Sequence, residues 1–267
     1  MPIAPGTHVV YTVRPGDTLY GIAGQFGASY PDLVRTNAIH PPFAEPDLIF
    51  PGRKLLVRVP GMAQQSAVLH QVTEGDTMYG LAVRYAAGLD LLVALNRLEQ
   101  PDILRVAQLI HVPAFVYEVE PGDSLFRIAQ RFGVSLGELT RANSRRPGFS
   151  PDVLVPGYRL VVPLPSSENI VVFAPLPGTR IAAGDALAGA ARAFEATVHY
   201  LIRDAAGRTV TRERVFMTSA GAPAFGEFQV PLEFDAPPAA PTGTILVFTR
   251  SARDGSVQDL TGVNVAF

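Results

Sequence analysis

The chain says nearly the same thing three times, and this repetition limits its fold more than any other feature. Gly-Asp stands at Gly16-Asp17, Gly75-Asp76 and Gly122-Asp123. Each glycine is followed, 21 residues on, by an asparagine: Asn37, Asn96 and Asn143. A Pro-Asp pair with two apolar residues behind it comes next, as Pro46-Asp47-Leu48-Ile49, Pro101-Asp102-Ile103-Leu104 and Pro151-Asp152-Val153-Leu154. Pro51-Gly52 and Pro156-Gly157 follow in the first and third units, where the second has Val106-Ala107. Each unit closes on Val-Pro, at Val59-Pro60, Val112-Pro113 and Val162-Pro163. Landmarks in register three times mark repeated supersecondary units rather than one large core.

Each unit reads as strand, helix, helix, strand. The opening strands are Val9 to Val13, Leu69 to Val72 and Val116 to Val119, rich in β-branched and aromatic residues. Leu19, Ile22, Ala23 and Phe26 then recur at i, i+3, i+4 and i+7, which is one face of an α-helix. The same spacing is kept by Met78, Leu81, Ala82 and Tyr85, and by Leu125, Ile128, Ala129 and Phe132. Gly27 and Gly133 stand where a helix ends in a left-handed residue. Asp17, Asp76 and Asp123, or the hydroxyl beside each, are expected to cap the helix that follows. Ser135 and Glu138 have the spacing of a capping box. Leu33, Leu92 and Leu139 are expected to point inward from the second helix, and the three asparagines to bond loop backbone. A unit this short buries little by itself, so the joins matter. Residues 61–67 read as a flexible linker between the first two units. Almost nothing separates the second from the third, so those two are expected to form a stiff pair.

After Pro163 the grammar changes. Leu164 to Glu168 reads as a linker. Phe194, Ala196, Val198, Tyr200 and Ile202 then alternate with their neighbours, as do Phe228, Val230, Leu232 and Phe234, and Val263, Val265 and Phe267. Asp204 to Gly207 reads as a hairpin turn. Short strands with turn signals over this length predict a β-sandwich.

Composition excludes several classes. Net charge is −2, with basic and acidic residues balanced in both halves, so the footprint of a nucleic-acid binder is missing. With no cysteine, disulfides, thiolate nucleophiles and Cys-type zinc sites are all excluded. His8, His40, His70, His111 and His199 show no metal-ligand spacing, and no cofactor or metal is expected. The repeated carboxylates sit one per unit, not as a facing acid/base pair, and no nucleophile-elbow or phosphate-cradling motif occurs. No catalytic residue is therefore expected. No apolar run reaches membrane-spanning length. The N-terminal stretch lacks the charged and apolar regions of a signal peptide, so either synthesis without export or a removed leader is expected.

The three units resemble LysM domains. The resemblance is carried by Tyr11 to Ala23 (YTVRPGDTLYGIA), by Val119 to Ala129 (VEPGDSLFRIA), and by the closing Pro-Gly-x-x-Leu elements. It covers residues 8–60, 68–113 and 115–163. Residues 168–267 resemble the Gmad2 domain, an immunoglobulin-like module linked to bacterial spore germination, through Ile170 to Gly178, Gly189 to Val198, Ser219 to Phe228 and Ser251 to Ser256. The fold expected is thus multidomain, three small α+β units (βααβ) followed by an all-β antiparallel sandwich.

The LysM resemblance implies binding of N-acetylglucosamine-containing glycan, peptidoglycan or chitin-type, in a shallow groove between two loops of each unit. In the first unit these loops are Gly16, Asp17, Thr18 and Leu19 with Asp47, Leu48, Ile49 and Phe50. In the second they are Gly75, Asp76, Thr77 and Met78 with Asp102, Ile103 and Leu104. In the third they are Gly122, Asp123, Ser124 and Leu125 with Asp152, Val153 and Leu154. Glycine permits a tight turn and close approach of backbone, and N–H groups at a helix start lack intrahelical partners and can donate to an acetamido carbonyl. Trp is absent, which excludes an indole platform. The expected function is non-catalytic, multivalent glycan binding at a cell wall or spore envelope, with the sandwich facing envelope proteins. The alternative is a structural spore-envelope protein whose domains mainly bind other proteins.

Overall fold

A computed structural model describes residues 2–41 and 48–267. The first unit is β1 (Thr7–Thr12), α1 (Leu19–Phe26), α2 (Tyr30–Thr36) and β2 (Lys54–Val59). The second is β3 (Ala67–Gln71), α3 (Met78–Arg84), α4 (Leu89–Leu95) and β4 (Leu109–Val112). The third is β5 (Ala114–Glu118), α5 (Leu125–Phe132), α6 (Leu136–Asn143) and β6 (Arg159–Pro163).

Local chemistry explains the helices. The hydroxyls of Thr18, Thr77 and Ser124 accept from the backbone N–H groups of Gly21, Gly80 and Arg127. The hydroxyl, not the neighbouring aspartate, is therefore the N-cap in all three units. Gly27 and Gly133 end α1 and α5 at φ 61° and 71°, and both halves of the Ser135–Glu138 capping box form. Each asparagine ties its second helix to its closing strand. The Asn37 amide donates to the carbonyls of Leu33 and Leu56, and its oxygen accepts from the Leu56 N–H. Asn96 repeats this with Leu92 and His111, and Asn143 with Leu139 and Val161.

The three units do not stand apart. β1 pairs in parallel with β3, so units one and two share a four-stranded sheet in the order β2-β1-β3-β4. Residues 61–67 are thus not a flexible spacer: Gly6 N–H donates to the Gln64 carbonyl and Ala67 N–H to Gly6. A free β1 edge would be an unpaired template, and this pairing closes it. One apolar cluster draws on every unit, with Val10 and Leu56 from the first, Val68, Leu81 and Tyr85 from the second, and Val116 and Val161 from the third. Sharing a core is how units too small to fold alone gain stability.

Arginines complete the union. Arg146, 2% exposed, donates to the Arg159 carbonyl and Asn143 Oδ1 in its own unit and to the Thr36 carbonyl and Asn37 Oδ1 in unit one. Arg159 pairs with Asp32 at 3.1 Å and Glu118 at 3.0 Å. Arg84 of α3 donates to the carbonyls of Ala142 and Ser144.

The remaining chain forms β7 (Ile170–Ala174), β8 (Ala186–Ala191), β9 (Thr197–Asp204), β10 (Thr209–Met217), β11 (Gly226–Pro231), β12 (Thr242–Arg250) and β13 (Val257–Ala266). They make two sheets, β10-β9-β12-β13 and β11-β8-β7, enclosing a core that includes Val198, Tyr200, Phe216, Phe228 and Ile245. The expected alternation holds from Ala196 onward but not at Phe194. That residue lies in a short 3₁₀ turn, with Glu195 left-handed at φ 51°, and is 62% exposed. The sandwich is docked on the repeats. Val171 and Ala190 join the core of Phe115, Tyr117 and Phe132, Arg192 pairs with Asp90 at 2.8 Å, and the Asn264 amide donates to the carbonyls of Gln130 and Arg131. Among the described residues no single helix is long and apolar enough to cross a membrane.

Candidate functional site

Each unit brings its two loops together at the end of its opening strand. The Val13 carbonyl accepts from Gly52 N–H and the Val13 N–H donates to Arg53. Val72 makes the same pair of bonds with Ala107 and Gln108, and Val119 with Gly157 and Tyr158. The chain leaving that strand turns at Gly16, Gly75 or Gly122, all at φ 85–86°. A Cβ there would meet nothing within 4 Å, so these glycines answer a left-handed backbone rather than a lack of space.

The second unit keeps the same turn without Pro-Gly. Ala107 takes the position of Gly52 and Gly157 at φ 71°, against 84° and 85° for the glycines. The loop is preserved at the cost of a left-handed alanine.

The aspartates are spent on the fold. Asp17 Oδ2 accepts from Arg14 N–H and Tyr11 Oη–H, both at 2.7 Å. Asp123 Oδ2 accepts from Glu120 N–H and Tyr117 Oη–H. In the second unit Asp76 Oδ2 bonds Thr73 and, in the tyrosine's place, His70 Nε2 at 3.1 Å. Burial pushes the Asp76 carboxyl up, but the bonds from His70 and Thr73 outweigh it and hold it well below the usual carboxylate range. Burial, reinforced by the Asp17 hydrogen bond, pushes the Tyr11 hydroxyl up to about 12. A carboxylate committed in this way closes its turn.

The two loops differ in what they show to solvent. Gly16, Thr18, Gly75, Thr77, Gly122 and Ser124 are exposed. Leu19, Met78 and Leu125, expected at the groove edge, turn into the core at 2–3% exposure. The next residue takes the solvent side: Tyr20, Tyr79 and Phe126 are 64–70% exposed. Sequence reasoning missed these three, although each stands four residues after its glycine, one step off the apolar face. Tyr20 also stacks on Tyr30, with ring centroids 4.1 Å apart. In the second loop Leu48, Ile103 and Val153 are exposed, while Ile49, Leu104 and Leu154 are half-buried against their cores. Asp102 and Asp152 are exposed; Asp47 lies outside the described residues. Each unit therefore presents an open polar turn, an exposed aromatic ring and an exposed aliphatic side chain at equivalent positions. That combination suits a neutral ligand with apolar faces and amide or hydroxyl groups. Among the described residues no cluster of His, Asp and Glu is placed to hold a metal ion.

Comparison with known proteins agrees with this geometry. A model of the LysM domain matches residues 11–58, 70–113 and 117–163, together just over half of the chain. A model of Gmad2, the immunoglobulin-like domain of bacterial spore germination, matches residues 169–256. The chain is similar to an autolysin of Enterococcus faecalis, at 31% identity over 40% of this chain and 15% of the relative. It is also similar to the secreted LysM effector ECP6 of Passalora fulva, at 29% identity over 40% of this chain and 54% of the relative. Among solved structures, the Bacillus cereus spore cortex-lytic enzyme SleL is 28% identical over 40% of this chain and 22% of its own, with a TM-score of 0.30. The chain thus spans about half or less of these proteins' length. Three matched repeats, each with the same open loop pair, and a matched sandwich behind them place the chain in the LysM family, as three LysM domains followed by a Gmad2 domain.

Proposed function

We propose that the chain is a non-catalytic, multivalent binder of N-acetylglucosamine-containing cell-wall glycan, acting in a bacterial cell wall or spore envelope. The observation that carries this reading is the threefold recurrence of one open loop pair, each flanked by an exposed ring: Tyr20, Tyr79 and Phe126. The relatives named as an autolysin and a secreted LysM effector support wall or chitin-type glycan as the ligand. The exposed turn backbone at Gly16 to Thr18 and its two counterparts would receive the acetamido group, and the ring and aliphatic residue the sugar face. One shallow site binds weakly; three on one body raise avidity where a glycan engages more than one.

The test is retention of the full chain on purified peptidoglycan in low and in high salt. Retention that barely changes with salt is expected, because the loop pairs offer no cluster of cations to an anionic strand. A steep salt dependence or no retention would overturn the reading. Replacing Tyr79 by Ala should weaken oligosaccharide binding by about 1–2 kcal/mol without lowering the melting temperature, since a ring this exposed carries little of the core. Incubation with cell wall should release no reducing ends or peptides.

A second reading rests on the Gmad2 match and the docked sandwich: a structural spore-envelope protein held by other proteins. It predicts that the purified chain fails to bind glycan until an envelope extract is added.

A further inference from the structure

One recess in the repeats lies not in any one loop pair but where all three units meet. It holds about 760 Å³ and is walled by Thr12, Arg14 and Lys54 of unit one, Glu74, Asp76 and Arg84 of unit two, and Arg145 of unit three. The Arg145 carbonyl accepts from the Lys54 N–H, which pins the third unit to the wall. No unit by itself contains this recess.

Its charge is out of balance. Lys54 is 6% exposed, and its ammonium donates to one neutral partner, Thr12 Oγ1 at 2.9 Å. An ammonium has three donors, and Thr12 accepts one of them. Arg84 spends its terminal nitrogens on Ser144 and on two backbone carbonyls, and its buried Nε–H has no acceptor. Among the described residues neither cation makes an ion pair. Two carboxylates stand on the wall: Glu74, which is exposed, and Asp76, whose bonded oxygen is committed to His70 and Thr73. Against Glu74 and Asp76 the wall sets four cationic side chains, Arg14, Lys54, Arg84 and Arg145, so positive charge is in surplus. Burying an ammonium without an anion beside it is unfavourable. In keeping with this, burial and the neighbouring Arg84 bring the Lys54 amine down to about 8.

The residue chosen is also informative. Lys54 is the chain's single lysine; every other cationic side chain that is always charged is an arginine. A compact ammonium suits a lone oxygen anion at the end of a recess, whereas a guanidinium demands a planar, two-pronged partner.

We infer that this junction recess binds one carboxylate of an acidic amino sugar, held by Lys54 Nζ with Arg84 behind it, while the sugar chain lies on the adjoining turn of unit two. The turn and the recess share Gly75, Asp76 and Thr77, so one ligand reaches both. The inference rests on the glycan-binding reading and narrows it: muramic-acid-containing glycan carries such a carboxylate and chitin does not.

The experiment titrates the full chain with four probes of equal length. These are a chitin oligomer, a glycan strand with free lactyl carboxylates, the same strand with those carboxyls amidated, and a strand bearing stem peptides. Binding of the free-acid strand about tenfold tighter than of the chitin or amidated strand is expected, as befits hydrogen bonds to a charged group. In Lys54→Met this ratio should collapse to about one. If the peptide-bearing strand alone gains, the carboxylate comes from the peptide rather than the lactyl ether. Equal binding of acid and amide, or a ratio untouched by Lys54→Met, overturns the inference. Failure of all four to bind instead overturns the glycan reading. A second readout does not depend on the variant folding: reductive methylation leaves the charge and gives Lys54 its own NMR resonance. Its apparent pKa should rise when the free-acid strand is added and stay put with the chitin oligomer. Stronger displacement by inorganic phosphate than by acetate would also overturn the assignment to a carboxylate.

Discussion

At the scale of single residues, the repeated Gly-Asp turns out to divide its labour. The glycine supplies a left-handed turn, and the aspartate locks that turn to the strand behind it. Removing the lock should therefore act on stability before binding. Asp17→Ala is expected to cost about 1–3 kcal/mol in denaturant unfolding, because Tyr11 Oη and Arg14 N–H lose their acceptor. Its intrinsic affinity for glycan, measured on the folded fraction, should change less. The reverse pattern would make the side chain a ligand. Ala107 offers the opposite test: Ala107→Gly should stabilise the chain by about 1 kcal/mol, since alanine at φ 71° carries a left-handed penalty that glycine does not. A lower melting temperature in that variant would show that the loop gains more from the side chain than from the freed backbone. Residue identity was legible here down to the cap, with one ambiguity. Sequence spacing alone cannot separate the aspartate from the hydroxyl beside it, because both reach the start of the helix. Which one accepts depends on where the strand tyrosine sits.

At the scale of elements, helices and strands followed from short-range signals. The i, i+3, i+4, i+7 ladder, the caps and the left-handed glycines all act within one turn, so they can be read along the chain. Exposure was harder. Leu19 and Tyr20 are both apolar neighbours in the first turn, and the ladder places the first inside while saying nothing about what the second does at the surface. Phe194 failed for a related reason: alternation counted it into β9, but the chain turns at Glu195 before the strand begins. The pairing of β1 with β3 left no local trace at all. A parallel contact between strands 60 residues apart is written in the shape of the assembled core, not in a window of residues.

At the scale of the whole molecule, the shared sheet buries His8 and His70 and half-buries His111, and this sets an acid limit. Burial lowers His8, on β1, from 6.5 to about 4, with Arg159 adding to it. It also lowers His70, on β3, against the pull of Asp76, and His111, on β4. A folded-state value below the unfolded one means that the neutral ring is what the fold accepts. The stability is then complete above about pH 6.5 and is lost as pH falls toward 4. For His8 alone the shift corresponds to about 3 kcal/mol. The melting temperature of the full chain should thus fall steadily between pH 6.5 and 4, and His8→Leu should make the decline shallower. A flat profile over that interval would contradict the burial of these rings. Because the three strands belong to one sheet, the loss should appear as a single transition spanning units one and two.

The parallel seam between β1 and β3 has one further consequence, for how the molecule measures its ligand. Tandem modules on loose tethers sample many separations, and whatever strand they meet, some pose will fit. Here the seam, the common core and Arg146 leave no tether to sample with. The spacing and bearing of the three loop pairs are cast into the fold like teeth on a key. On the proposed glycan reading, gain from binding at more than one of them would go to glycans whose own curvature presents sugars at those bearings. A short soluble oligomer meets one tooth at a time, and a strand held in a wall can meet several at once.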